Sequence, residues 1–199
     1  TTAEVYTVSV PDGITLSDAF INILGTDYYK KGQTVTFGFS GSGSVVYFVN
    51  GERIEGNSVT VGKKDLKVEI GIPYIDENGK EQIRKLGEYT VLTSLTDVSN
   101  LGGGWYVVQG KVKYSNQVKF SGDAHLILAD GAEMVIESKS RRFVINALNN
   151  LTIYGQSGQG GILNVTAKGS FCSGINSSNG KITINGGSVT ATGINGYGI

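Results

Sequence analysis

Side chains that could act on polysaccharides are concentrated in the middle of the chain. They are three carboxylates followed by two arginines: Asp123, Asp130, Glu133, Arg141 and Arg142. A calcium-dependent lyase needs clustered carboxylates to hold the cation and an arginine or lysine to take the proton beside the uronate. These five residues are therefore a lyase-like alternative. We favour solvated loop charges and surface ion pairs, because no Asp or Glu follows Glu137 in the most regular part of the sequence.

Glycoside hydrolysis would need two carboxylates about 5–10 Å apart, flanking the bond. Asp123 and Asp130 both adjoin a glycine, and turn chemistry explains them without catalysis. His125 is the only histidine, which excludes metal sites built on paired histidines and most nucleophile–base pairs. We predict that the chain is not an enzyme and binds no metal or cofactor.

Aromatic side chains indicate a binding surface more readily than a catalytic one. Sugar rings stack on exposed aromatic rings while polar neighbours bond the hydroxyl groups. The candidates for such contacts are Trp105, Tyr106, Tyr114, Tyr154 and Tyr197. The structural alternative is that Trp105 closes the end of a core and that the tyrosines fill ordinary strand positions.

The last fifty residues nearly repeat themselves, and this repeat predicts the architecture. Residues 149–155 return as 179–186, and residues 160–169 return in shortened form as 186–193. The offsets between copies align Ile145 with Ile175, Ile153 with Ile184 and Val165 with Val189. Each copy holds three short strand-like runs separated by Gly, Asn or Ser. A unit of this size cannot bury its apolar side alone and stacks on its copies. Three strands per coil predict a parallel β-helix from about residue 89 to residue 199, with recurring asparagines at its corners.

The N-terminal part of the chain has a different pattern of apolar residues and turns. Alternating runs and glycine-containing turns, such as Asn50-Gly51, predict six or seven short strands over residues 1–73 in a small antiparallel β-sandwich. Residues 16–24 fit either a strand or one or two helical turns. Residues 74–88 predict a joint that contains a hairpin around Asn78-Gly79. The whole chain is therefore expected to be all-β.

Composition and charge argue against two functional classes, membrane-inserted proteins and nucleic-acid-binding proteins. The 199 residues include 30 glycines and only 2 prolines, and the formal net charge is zero. No apolar run approaches the ~20 residues that span a bilayer, so membrane insertion is not expected. No dense Lys/Arg stripe is present, which argues against nucleic acid as a partner. The chain begins with Thr1, which suggests that an upstream segment was removed.

Several motifs, in order, resemble a known family. Residues 104–112, 120–131, 150–153 and 186–191 resemble right-handed, pectate-lyase-like β-helix segments of large surface and secreted proteins from gut-dwelling anaerobic bacteria. Residues 28–36 and 49–51 are similar to the short Ig-like repeat domains of such proteins. The resemblance implies an extracellular or cell-surface, adhesin-like protein, and it brings no catalytic residues.

The sequence thus predicts a non-enzymatic adhesin-like or scaffold protein that binds a glycan or host surface through the β-helix. A polysaccharide lyase or glycoside hydrolase on the same fold is one alternative, and a structural spacer without a ligand is another. Residues 193–199 match the middle of the preceding coil, so the chain is expected to be a piece of a longer protein. An open last coil would favour end-to-end self-association.

Overall fold

The computed structural model describes residues 3–139 and 142–199, and every regular element among them is a β-strand. The prediction of an all-β chain is confirmed. Because no helix forms in these residues, none is available to cross a membrane. The chain divides into two compact units. The first comprises the described parts of Thr1–Gly41, Val45–Ile72 and Arg84–Leu86, and the second those of Ser42–Ser44, Pro73–Ile83 and Gly87–Ile199.

Ten short strands occupy the front of the chain. They are β1 (Val5–Ser9), β2 (Ile14–Leu16), β3 (Ile21–Ile23), β4 (Thr26–Lys30), β5 (Thr34–Phe39), β6 (Val46–Val49), β7 (Glu52–Arg53), β8 (Ser58–Thr60), β9 (Leu66–Ile75) and β10 (Glu81–Lys85). One sheet has the order β3-β4-β1-β9-β6-β7 with β10 also paired to β9, and the other has the order β2-β5-β8.

Both sheets contribute to one core in the first unit. Phe37 of β5 meets Tyr47 of β6 with ring centroids 5.3 Å apart, and both rings are buried. One pair departs from the antiparallel arrangement, because β1 lies parallel to β9 through Val8–Leu66 and Ser9–Lys67. Residues 16–24 contain the last residue of β2, an irregular stretch, the whole of β3 and the first residue of a turn, rather than helical turns.

Twelve strands follow. They are β11 (Thr90–Leu92), β12 (Gly104–Val108), β13 (Lys111–Tyr114), β14 (Val118–Phe120), β15 (Ala124–Leu128), β16 (Glu133–Ser138), β17 (Phe143–Ala147), β18 (Leu151–Gly155), β19 (Ile162–Ser170), β20 (Ser173–Ser177), β21 (Ile182–Ile184) and β22 (Ser188–Ile194).

These strands form three sheets in which all pairing is parallel. The first sheet has the order β11-β12-β15-β18-β21, the second β13-β16-β19-β22 and the third β14-β17-β20. The chain therefore visits the three sheets in turn and returns to the first one strand further along. The register follows the sequence repeat where Ile153 pairs with Ile184 and Ile145 with Ile175. The predicted alignment of Val165 with Val189 is wrong, because Val165 pairs with Ala191 and Val189 pairs with Leu163.

The core of the second unit is built from rows of apolar side chains in register. Leu126 and Ile153 form one row in the first sheet, and Val118, Ile145 and Ile175 form another in the third sheet. All five belong to one buried cluster. Full burial of such a side chain contributes about 1.5–3 kcal/mol, so each inward row that successive coils share adds to the stability of this unit.

A buried amide fixes one corner of this unit. Gln156 follows β18 and is 1% exposed. Its Nε2 donates to the carbonyl oxygens of Ser44 (2.8 Å) and Pro73 (3.1 Å), and its Oε1 accepts from the backbone N–H groups of Ser44 (2.9 Å) and Asp130 (3.0 Å). Every hydrogen-bonding position that a primary amide offers is used.

The turn between β9 and β10 is organised by one carboxylate. Asp76 Oδ1 accepts from the backbone N–H groups of Asn78 and Lys80, each at 2.9 Å, and Oδ2 accepts from the Gln82 amide. The hydrogen bond from the Lys80 backbone is the main cause that holds the pKa of Asp76 below its ordinary value. The turn is thus ordered by local polar contacts.

Candidate functional site

An aromatic stack lies on the outer face of the first parallel sheet. The register places Trp105 of β12 beside His125 of β15, and their rings are stacked at 4.3 Å with an angle of 11°. Tyr154 of β18 lies 5.3 Å from Trp105 and within hydrogen-bond distance of His125, since its hydroxyl is 3.2 Å from Nδ1. Tyr74 closes the group, with its ring centroid 4.9 Å from those of Trp105 and Tyr154.

The rings of this stack pack against one another and are at most partly exposed to solvent. Tyr74 and Tyr154 are buried, and Trp105 and His125 are half-buried. Two of the predicted ligand-binding residues, Trp105 and Tyr154, therefore come together in a packed cluster. The sequence did not predict the contribution of Tyr74, which lies far from the other three along the chain.

Two further candidate tyrosines lie in the core. Tyr106 and Tyr114 are each 6% exposed, and their hydroxyls donate to the carbonyl oxygens of Gly102 (3.0 Å) and Thr93 (2.6 Å). Burial raises the pKa of both phenols. Because their rings are enclosed, neither residue presents a face on which a sugar could stack. Both tyrosines occupy ordinary strand positions in the core, which was the structural alternative to a binding role.

The carboxylates of the lyase-like alternative are spread along the coil. Asp123 precedes β15 and Asp130 follows it. The four steps of that strand, at about 3.3 Å each, place its ends about 13 Å apart. Glu133 begins β16 in the second sheet, in register with Lys111. This spacing does not provide the pair of carboxylates that glycoside hydrolysis requires.

The two aspartates bond to the neighbouring coil. Asp130 accepts from the backbone N–H groups of Gly158 (2.9 Å) and Gly160 (2.8 Å), one on each carboxylate oxygen. Asp123 accepts from the backbone and side-chain nitrogens of Asn150, each at 3.1 Å. Arg141 lies outside the described residues. Within them, no group of three or more His, Cys, Asp and Glu side chains could hold a metal ion.

Two ion pairs that share Glu137 link adjacent coils on the outer face of the second sheet. Glu137 of β16 lies 2.9 Å from Lys168 of β19 and 3.8 Å from Lys113 of β13. The hydrogen bond from Lys168, and then its charge, lower the pKa of Glu137. This is a partly exposed structural contact of the kind expected for the charges of the central segment.

A groove at the C-terminal end holds the remaining candidates. We call it the C-terminal groove; its volume is about 440 Å³, and its lining includes Arg142, Phe143, Phe171, Asn176, Asn195 and Tyr197. It brings together one predicted ligand-binding residue, Tyr197, and one residue of the lyase-like alternative, Arg142. These residues come from three successive corners of the coil.

Two aromatic rings of the groove are strongly exposed. Phe171 is 77% exposed and Tyr197 is 79% exposed. Phe171 also has a φ of +57°, a left-handed conformation that is unusual for a bulky side chain. It follows the register shift between β19 and β22. The sequence did not single out Phe171, although an aromatic residue among serines at a coil corner was a usable signal.

Backbone contacts hold Tyr197 beside the third sheet. The carbonyl of Tyr197 accepts from Gly174 N–H at 3.0 Å, and its own N–H donates to Ser173 Oγ at 3.2 Å. Gly196 makes this approach possible, because a Cβ there would lie 2.5 Å from the carbonyl oxygen of Cys172. The exposed ring is thus carried on an ordered segment.

Amide side chains complete the groove and also link the coils. Asn176 Nδ2 donates to Asn146 Oδ1 and to Ser178 Oγ, both at 3.2 Å. Ser177 Oγ donates to the Asn149 carbonyl at 2.7 Å. Asn195 lies next to Tyr197 with a left-handed φ of +53°. Corner asparagines therefore bond neighbouring coils, while Asn176 and Asn195 also face the groove.

The charge of this region has one sign. Residues 138–199 contain five basic residues and no Asp or Glu. Arg142 is exposed, and its guanidinium carbon lies 5.5 Å from the centroid of the Phe143 ring. The groove thus combines two exposed rings, two amides and one guanidinium.

The chain was compared with protein-family models, curated proteins and solved structures. No protein-family model matches the chain, and neither a curated protein nor a solved structure matches it.

Proposed function

We propose that this chain is a non-enzymatic, adhesin-like scaffold, secreted or held at the cell surface, that binds carbohydrate in the C-terminal groove. The observation that carries the proposal is the presence of two exposed rings, Phe171 and Tyr197, on one groove that also offers amide side chains. Stacking rings with adjacent amides are what a sugar ring and its hydroxyl groups require.

The backbone of Phe171 supports a role beyond folding. A left-handed conformation costs a non-glycine residue about 1–2 kcal/mol, and an exposed ring gains little burial in return. Strained residues of this kind cluster at ligand-binding positions. A binding role gives a reason for both the ring and its exposure.

The proposed framework is a right-handed parallel β-helix that follows an Ig-like β-sandwich. The strand order supports the first part, because three successive coils each contribute one strand to each of three parallel sheets. Parallel crossover connections are right-handed in about 98% of cases. Two sheets around one core support the second part.

The positions of the carboxylates favour binding over catalysis. Asp123 and Asp130 are engaged with the next coil and are separated by the length of β15. A hydrolase or lyase would need carboxylates that converge on one bond or one cation.

A glycan array tests the proposal. We expect the wild-type chain to bind a subset of oligosaccharides, and Phe171→Ala and Tyr197→Ala each to weaken that binding by about 3–10-fold, as loss of one stacking contact implies. Phe20→Ala is the matched control, since Phe20 is a 52% exposed ring in the first unit. An array without binding would instead support a structural spacer, and release of sugar fragments would support an enzyme.

Phe171→Gly separates binding from folding. Glycine adopts a φ of +57° without the steric cost, so we expect the free energy of unfolding to stay the same or rise while binding weakens. A loss of stability in this variant would show that the ring serves folding, and the proposal would lose its main support.

A further inference from the structure

We infer that the C-terminal groove selects saccharides that carry a carboxylate, with Arg142 as the residue that binds it. The inference rests on the proposed function, because it names the ligand class of the same groove. The expected occupant is an oligosaccharide in which a uronic acid alternates with a neutral sugar, so that one unit meets the guanidinium and its neighbour meets a ring.

The position of Arg142 is the first argument. Its side chain is exposed at the groove, and the ring of Phe143 lies beneath the guanidinium at 5.5 Å. Among the described residues, no carboxylate pairs with it. A guanidinium presents a planar fork of N–H donors that matches a carboxylate with two parallel hydrogen bonds. Stacking on a ring orients that fork and reduces the freedom lost on binding.

Charge complementarity is the second argument. Among the described residues that line the groove, Arg142 is the only one with a charged side chain, and residues 138–199 contain no Asp or Glu. Oppositely charged groups within about 8–10 Å attract one another measurably at physiological ionic strength. A neutral sugar gains nothing from this field, whereas an acidic one gains both affinity and orientation.

The neutral groups of the groove define the rest of the ligand. Phe171 and Tyr197 offer apolar ring faces. Asn176 lines the groove, and its Nδ2 donates to Asn146 and Ser178. Its Oδ1 is the atom to which we assign a hydrogen bond from a sugar hydroxyl. Recognition therefore combines one charged contact with stacking and hydroxyl contacts, which is the pattern of a specific saccharide site rather than a general anion site.

A matched pair of ligands tests the inference by calorimetry on the full chain. The acidic probe is a hyaluronan oligosaccharide, and the neutral probe is the same molecule with its carboxylates converted to methyl esters. We expect the acid to bind about tenfold more tightly than the ester. Arg142→Gln should weaken binding of the acid until its affinity equals that of the ester, which removes this difference. Lys181→Gln, which changes a basic residue outside the groove, should leave both affinities unchanged.

The outcomes separate this inference from the proposed function. Equal binding of acid and ester would overturn the role of Arg142 while carbohydrate binding stands. Equal binding of a sulfated neutral oligosaccharide and the acid would show recognition of negative charge alone, which would overturn carboxylate selectivity. If neither hyaluronan probe binds while neutral glycans on the array do, the inference is wrong and the proposed function stands. If no saccharide of any kind binds, the proposed function itself fails.

Discussion

The side-chain amide of Gln156 bonds both backbone groups of Ser44, donating to its carbonyl oxygen at 2.8 Å and accepting from its N–H at 2.9 Å. The two residues are 112 positions apart in the chain. The same amide also reaches Pro73 and Asp130. One buried side chain thus ties two distant segments of the second unit to a corner of its parallel sheets.

Gln156→Leu is expected to lower the free energy of unfolding by about 2–4 kcal/mol. Leucine fills a similar volume, but backbone groups of Ser44, Pro73 and Asp130 lose hydrogen bonds that are buried at Pro73 and part-buried at the other two residues. Each polar group left unsatisfied in a buried setting costs about 1–3 kcal/mol. Urea unfolding measures the change. Gln159→Leu is the control, because Gln159 is exposed and makes two hydrogen bonds; a loss as large in this variant would contradict the importance of burial.

Gly43→Ala should be more destabilising than the same change at Gly131. Both glycines have a left-handed φ, +82° and +74°. A Cβ at Gly43 would collide with the Oε1 atom of Gln156 and lie 2.8 Å from the Ala129 Cβ, whereas a Cβ at Gly131 would meet nothing within 4 Å. We expect about 1 kcal/mol of destabilisation from strain alone at Gly131 and at least twice that at Gly43. Equal losses in thermal unfolding would show that the contact is unimportant.

The sequence repeat was the main basis for predicting the parallel strands and their register. Offsets between copies aligned Ile153 with Ile184 and Ile145 with Ile175, and the parallel register has the same pairs. The alignment predicted these pairs because equivalent residues of neighbouring coils lie on adjacent parallel strands. Residues that correspond in the sequence repeat are therefore partners in the strand register. Contacts made only once could not be read this way. Gln156 with Ser44 is such a contact, since nothing in the local pattern marks either residue.

The candidate residues show the same distinction. Alternation within a strand shows which side chains share a face of the sheet. It does not show which of the two faces meets the core, so Tyr106 was considered a surface candidate. The C-terminal groove could not be predicted from the sequence, because it forms where three successive corners of the coil come together in space. Tyr197 was among the predicted residues because it is aromatic, whereas Phe171 was missed because its exposure follows from a left-handed turn.

Glu137 should titrate at a pKa below the ordinary range of glutamate, because Lys168 donates a hydrogen bond to its carboxylate and contributes a nearby positive charge. A lowered folded-state pKa means that this contact stabilises the fold above the unfolded-state pKa. The contribution is lost as the pH falls through the folded-state value. Carbon-detected NMR titration measures the pKa directly. Lys168→Met should raise it toward the ordinary value, whereas Lys181→Met should not change it; an unchanged pKa in Lys168→Met would contradict the pairing.

The last coil leads to a prediction about association. In the first sheet, Leu126, Ile153 and Ile184 occupy one register row. The first two are fully buried, whereas Ile184 is 43% exposed, because no further strand lies beside β21 in the described chain. An open strand edge with an apolar core position favours pairing with another copy. We therefore propose that the chain associates end to end through β21 and β22, while the segment at Tyr197 and Gly198 already bonds the edge of the third sheet.

Ile184→Lys should reduce this association, since a charge at an inward position of the open coil would have to be desolvated by a second copy. Sedimentation velocity over a range of concentrations measures the effect. We expect the wild-type chain to form larger species as its concentration rises and Ile184→Lys to remain monomeric at about tenfold higher concentration, since 1–2 kcal/mol of lost pairing corresponds to that factor. Ile162→Lys is the matched control, because Ile162 is 37% exposed on the preceding coil and already lies between paired strands. A wild-type chain that stays monomeric at every concentration, or equal effects of the two substitutions, would show that the open coil is not the contact.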